Sequence, residues 1–287
     1  MAFSVFRERC FLALGVCVCC LGGMVFRPGN FDVSYDLFNV QKVANQNLFD
    51  IVVCGNSRSH ENIDYRIISS YLPNIRIFNF GFGGNSGLSK EIMEAAAKRL
   101  HPNGKRIFLW MIEPLNIVYE INDFYHKYSQ NVLLYKFLGE KNWCYVQLFL
   151  RKVCLNPYLF NSHSVEIQEE GSWYTYKSDQ VCRGSKTSFQ AINFSMLEED
   201  LQFCKEHDIR CIVVAAASNK EVEECEEEFF KKNHVKEFFL KHGATWIDRE
   251  PLHLESWDDV HLNVASGQRF AHWIGEKLRQ IDWLREQ

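Results

Sequence analysis

The stretch FDIVVCGNSRSHENIDYR, residues 49–66, decides the fold class. Its first half, Asp50 to Gly55, is a short apolar run rich in β-branched residues. It ends in a Gly-Asn-Ser turn, and a polar segment follows that ends before a helical pattern at about 63–72. A run this short, apolar at successive positions, predicts a strand covered on both faces, as in a parallel sheet. Four more such runs follow: IRIFNFG (75–81), RIFLWMI (106–112), RCIVVAAA (210–217) and ATWID (244–248). Helical patterns separate them, at about 63–72, 87–100, 196–208, 220–241 and 264–280. The alternation predicts an α/β domain with a doubly wound parallel sheet of about five strands, spanning 48–287. An insert at about 117–195 interrupts it. The insert's aromatic-rich part reads as one or two helices packed on the sheet edge, and a lid or membrane-facing platform is the functional alternative.

The chain has 287 residues, a net charge of −4 and 24% charged residues. The length suits one large domain, and the acidic balance argues against a nucleic-acid partner. The acidic segment EVEECEEEFFKK from Glu221 reads as the solvated face of a helix. Residues 1–30 differ from the rest. Arg7 and Arg9 precede an uncharged run from Cys10 to Phe26. Seventeen helical residues span roughly 25 Å, the short end of what crosses a bilayer. We read 10–26 as an uncleaved membrane anchor, with a cleaved or lipidated signal peptide as the second reading and a core helix as the third. The charge bias puts the N-terminus in the cytoplasm and the domain on the exported, periplasmic or extracellular side.

Of the eleven cysteines, four lie in or beside the apolar run. Cys54 and Cys211 fall inside strand-like runs and read as core filler. An exported domain is compatible with one or two disulfides, whose pairing the sequence leaves open. The spacings match no zinc motif, and no metal or other cofactor is expected.

Ligands of open parallel sheets bind at the carboxyl ends of the strands. The residues just past each strand are therefore informative. Gly55-Asn56-Ser57-Arg58 comes after the first, Asn79 to Gly87 (NFGFGGNSG) after the second, and Glu113-Pro114-Leu115-Asn116 after the third. The last strand leads into a loop carrying Asp258, Asp259 and His261. A serine needs a base to become a nucleophile, and a histidine base needs a carboxylate to fix its tautomer. Asp258 lies three residues before His261, so one short segment supplies the base, His261, and its orienter, Asp258. Glycines near Gly84 leave backbone N–H groups open to a developing oxyanion.

Each motif also has a plain structural reading. Ser57 and Ser59 fit helix caps, the glycines fit a turn, and His60 and His253 fit surface loops. A dinucleotide fingerprint is disfavoured, because GFGGNSG follows the second strand and lacks an acidic ribose partner at the usual distance.

Taken in order, the four blocks resemble the SGNH (GDSL-type) hydrolase superfamily. The resemblance is spread over residues 50–275 and implies that the sheet is flavodoxin-like. VVCGNS looks like the nucleophile block with Ser57 as nucleophile, and Gly84 looks like the oxyanion glycine. Asp258 and His261 look like the C-terminal Asp-x-x-His block. Asn56 stands where the family usually has Asp. Glu113 stands at about the position of the family's oxyanion Asn, with Asn116 three residues on as its substitute. Arg58 is a candidate to neutralise substrate charge or to bridge to the C-terminal loop. Such divergence resembles the membrane-anchored branch related to alginate O-acetylation and D-alanyl–teichoic-acid transfer. The resemblance implies a Ser-His-Asp esterase or acyltransferase acting on O-acyl, chiefly acetyl, esters of envelope glycans or lipids. It works in some cases beside a membrane-bound acyltransferase. The alternative it implies is a catalytically impaired binding or partner protein in a polysaccharide acylation system.

Overall fold

The computed structural model describes residues 33–60, 63–82, 89–114, 117, 128–133, 135–139, 164–167, 173–176, 192, 194–249, 252–256 and 260–285. The expected anchor at 10–26 lies outside these residues. Among the described residues no helix is long and apolar enough to cross a membrane. The chain divides into two compact units, Met1–Ala44 with Tyr128–Ser164, and Asn45–Lys127 with Val165–Gln287. Helix α1 (Val33–Ala44) belongs to the first; the sequence reading did not anticipate it.

The second unit holds the sheet. Its strands are β1 (Ile51–Gly55), β2 (Ile77–Asn79), β3 (Ile107–Ile112), β6 (Arg210–Ala215) and β7 (Thr245–Ile247). A separate two-stranded sheet, β4 (Ser164–Ile167) with β5 (Trp173–Tyr176), lies in the insert, which was expected to be helical in its aromatic-rich part. The large sheet is parallel throughout, in the order β2-β1-β3-β6-β7. By position along the chain, this is the 2-1-3-4-5 order of doubly wound sheets, whose switch point lies between the first and third strands.

Burial explains why the runs form strands. All residues of β1 and β3 are buried, as expected for strands covered on both faces. Met111 and Trp110 show the two faces directly. Met111 Sδ meets the Tyr65 hydroxyl at 3.4 Å on the side of α3 (Tyr65–Tyr71). Trp110 packs edge-on against Phe239, 5.8 Å between ring centres, on the opposite side. The first face is sealed by Ile68 of α3 and by Phe270, Ile274 and Leu278 of α8 (Val264–Arg279). Gly275 lets α8 approach closely, since a Cβ there would lie 2.4 Å from the Tyr71 ring. The second face is covered by α4 (Lys90–Ala97), α5 (Phe194–Glu206) and α7 (Val235–Lys241). Cys54 and Cys211 are buried free thiols in this layer, and among the described residues Cys204 and Cys225 are free as well. Burial pushes the Cys54 thiol well up, so it is inert filler.

One expected helix is two. The pattern over 220–241 is divided into α6 (Lys220–Lys232) and α7, because His234 takes a left-handed conformation with φ 54°. Asn233 closes α6, its side-chain amide donating to the Phe229 carbonyl at 2.8 Å. At its other end α6 is capped by Asn219, whose Oδ1 accepts from Val222 N at 2.9 Å.

Candidate functional site

Strand register brings the first and third blocks side by side. Gly55 pairs with Met111, so Ser57 and Glu113 each stand two residues past the same rung, on neighbouring strands. This is the switch point of the sheet, where connections leave in opposite directions and open a crevice. Gly55 is needed there, since a Cβ would lie 2.7 Å from both the Met111 carbonyl oxygen and Ser59 Oγ.

The turn after β1 is short and heavily tied. Ser57–His60 forms a single helical turn, α2. Asn56 caps it, with its Oδ1 accepting from Arg58 N at 3.1 Å and its carbonyl accepting from Ser59 N and His60 N. Ser59 Oγ donates to the same carbonyl at 2.7 Å. Capping is thus the work of Asn56, and Ser57 is left as the partly exposed member of a buried turn. From the β2 side, the Asn79 amide donates to the Ser59 carbonyl at 3.0 Å, and the Tyr65 hydroxyl donates to it at 2.7 Å. His60, expected on a surface loop, is fully buried, because α2 turns its last residue into the core. His253 is exposed.

Arg58 corrects a second expectation. Its side chain is buried and committed to carboxylates, so it is not open to a substrate. Nη1 and Nη2 donate to Glu226 at 3.0 and 2.8 Å, and Nε lies 2.6 Å from Glu113 Oε2. Glu113 also accepts from the Asn56 side-chain amide. Burial opposes the charge on Arg58, but Glu226 and then Glu113 outweigh it and raise its pKa further. Burial raises the Glu113 pKa, Arg58 lowers it, Glu226 raises it and His261 lowers it; the net direction is up. An acid at this position has no N–H to offer an oxyanion, and here both its oxygens are engaged.

Glu226 is the residue that sequence reasoning missed. The helix expected to be solvated is so only in part: Glu226 is 2% exposed and Phe230 is buried beside it. Glu223, on the same side of α6, accepts from Ser218 N at 3.0 Å and pairs with Arg249 at 3.3 Å. The spacing 223, 226, 230 marks an inward helix face. Within a run of six glutamates, that spacing was the available signal. Burial raises the Glu223 pKa against the pull of Arg249, and burial likewise lowers that of Arg249 against the pull of Glu223.

His261 comes to this edge from the loop after β7. Leu262 bridges Ser256 in antiparallel fashion, and Asn263 N donates to the Glu255 carbonyl at 3.0 Å. Asn263 then caps α8, its Oδ1 accepting from Ser266 N at 2.9 Å. Two residues before this cap stands His261, whose charge helps lower the Glu113 pKa against burial. Three of the expected site residues, Gly84, Asn116 and Asp258, lie outside the described residues. Among the described residues no group of three His, Cys, Asp or Glu side chains is arranged to hold a metal ion. Compared with known proteins, the chain matches no family model and no curated protein.

Proposed function

We propose that this chain is a membrane-anchored, exported SGNH-like serine esterase or acyltransferase acting on O-acyl, chiefly acetyl, esters of envelope glycans or lipids. The observation that carries the reading is Ser57 itself. It is the partly open residue of a tied turn at the switch point of a 2-1-3-4-5 parallel sheet, relieved of capping by Asn56. His261 follows the last strand and its charge bears on Glu113 beside this turn, which supports its role as base.

In this reading, Ser57 Oγ attacks the ester carbonyl carbon while its proton passes to His261. Asp258 orients the imidazole. Ser57 N–H and Gly84 N–H, with the Asn116 amide, receive the oxyanion. The ester C–O bond breaks, the leaving hydroxyl takes the proton from His261, and an acyl-Ser57 remains. Water, or a sugar or polymer hydroxyl, then gives its proton to His261 and attacks the acyl carbon. Ser57 leaves and recovers that proton. Water as acceptor gives hydrolysis, and a hydroxyl gives transfer, beside a membrane acyltransferase as partner.

A second reading, a binding or partner protein in an acylation system, is favoured by Glu113. Its oxygens are taken by Asn56 and Arg58, so it adds no donor to the oxyanion site. Losing one donor costs about 10²–10³ in rate, which weakens catalysis without abolishing it. Labelling with a fluorophosphonate probe separates the two readings. Labelling of the wild type that disappears in Ser57→Ala and His261→Ala supports the enzyme. A folded wild type that neither labels nor turns over acetyl esters supports the binding protein.

A further inference from the structure

We infer that Glu226 is a positioning residue for Ser57, acting through its two-pronged clasp on Arg58. The inference rests on the reading of Ser57 as the nucleophile. Ser57 has Asn56 on one side and Arg58 on the other, and both neighbours are buried. Asn56 is tied to Glu113 at the end of β3. Arg58 is tied to the same Glu113 and, by two hydrogen bonds of 3.0 and 2.8 Å, to Glu226 on α6. The short turn that carries the serine is therefore pinned to an element 168 residues downstream.

A guanidinium held by both oxygens of a carboxylate is fixed in direction as well as in distance. Because α2 is a single turn, fixing the Arg58 side chain fixes the backbone from which Ser57 projects. Displacing a reacting group by about 1 Å costs on the order of 10²-fold in rate. The hydrogen bonds of Glu226 go to Arg58, and its effect on Ser57 passes through that side chain. The clasp also explains the exchange at the third block. With the cation Arg58 buried beside β3, a carboxylate at Glu113 is matched, whereas an Asn there would leave Arg58 Nε without its acid.

The test compares Glu226→Gln and Arg58→Lys with Glu227→Gln, a change at an exposed neighbour on the same helix. Gln keeps an acceptor but loses the charge and the two-pronged grip. Lys keeps the charge but loses the fork. In folded protein, both are expected to lower kcat on an acetyl ester, and the rate of fluorophosphonate labelling, by about 30- to 100-fold with KM nearly unchanged. The double variant is expected to be no worse than the poorer single one, as residues of one contact are not additive. Hydrogen exchange at the amides of Arg58, Ser59 and His60 is expected to speed up in both variants and to stay at the wild-type rate in Glu227→Gln. Should Glu226→Gln fail to fold, Arg58→Lys carries the comparison.

A wild type labelled at Ser57 with Glu226→Gln or Arg58→Lys labelled equally fast overturns the positioning role and leaves the serine reading standing. A folded wild type that does not label overturns the serine reading. In that case faster exchange at residues 58–60 still supports the clasp as the device that holds the turn, and unchanged exchange overturns it.

Discussion

The molecule carries two sets of ion pairs at the carboxyl edge of one sheet, and they differ in burial rather than in distance. At the switch point, Arg58 meets Glu226 at 2.8 Å and Glu113 at 2.6 Å, with side chains no more than 5% exposed. On α6 and next to β7, Lys231 meets Glu227 at 2.7 Å and Lys236 meets Asp248 at 2.5 Å, but these side chains are 41–74% exposed. Water and salt screen the second set, so each pair contributes roughly 0.2–1 kcal/mol or less. In the first set, the partners offset part of the desolvation, and removing one partner strands a buried charge. Similar geometry therefore has opposite consequences. The exposed pairs are replaceable, whereas the buried ones hold the turn that carries Ser57.

The contrast can be broken most severely at Arg58. Arg58→Met leaves Glu113 and Glu226 buried without their cation, and a loss of about 3–5 kcal/mol is expected in chemical denaturation. A loss below about 1 kcal/mol would put this cluster in the same class as the surface pairs. Next comes Gly55→Ala, which drives a methyl against the Met111 carbonyl and Ser59 and is expected to cost about 1–3 kcal/mol by overpacking.

The pH dependence of stability sharpens the comparison further. Burial raises the Glu113 and Glu223 pKa values above those of the unfolded chain. Between the ordinary carboxylate range near ~4.3 and the raised values, the folded state binds more protons than the unfolded one. These groups therefore contribute stability at low pH that is lost as pH rises through their folded pKa. Glu113→Gln keeps an acceptor for Asn56 and is expected to flatten this part of the stability–pH curve. An unchanged slope would assign the effect to Glu223 alone. The smallest effect is expected on the surface: Lys231→Ala should change stability by about 0.5 kcal/mol or less, and less still at high salt. A larger change would erase the distinction drawn from burial.

The fold was largely legible because its signals are local. Five apolar runs became five parallel strands within one or two residues of their expected ends. The division of 220–241 was not legible, because the apolar pattern continues across Asn233 and His234 while the backbone turns. At the candidate site, the residue types at strand ends were enough to single out Ser57 and His261 as candidates. The destination of Arg58 was not. Its partner Glu226 lies among five other glutamates in EVEECEEE, and only its spacing from Glu223 and Phe230 hints at which one turns inward. Asn79 was visible as a polar residue in an apolar run, but its hold on the carbonyls of Ser59 and His60 depends on the neighbouring strand.

By itself, then, the sequence determined that an α/β sheet forms, with a serine after its first strand and a histidine after its last, because strand and turn chemistry act over a few residues. Tertiary structure alone decided that Arg58 belongs to Glu226 and Glu113, and that Ser57 keeps an open side. Those outcomes depend on which distant groups share a site shielded from water, and burial there decides which charges must pair.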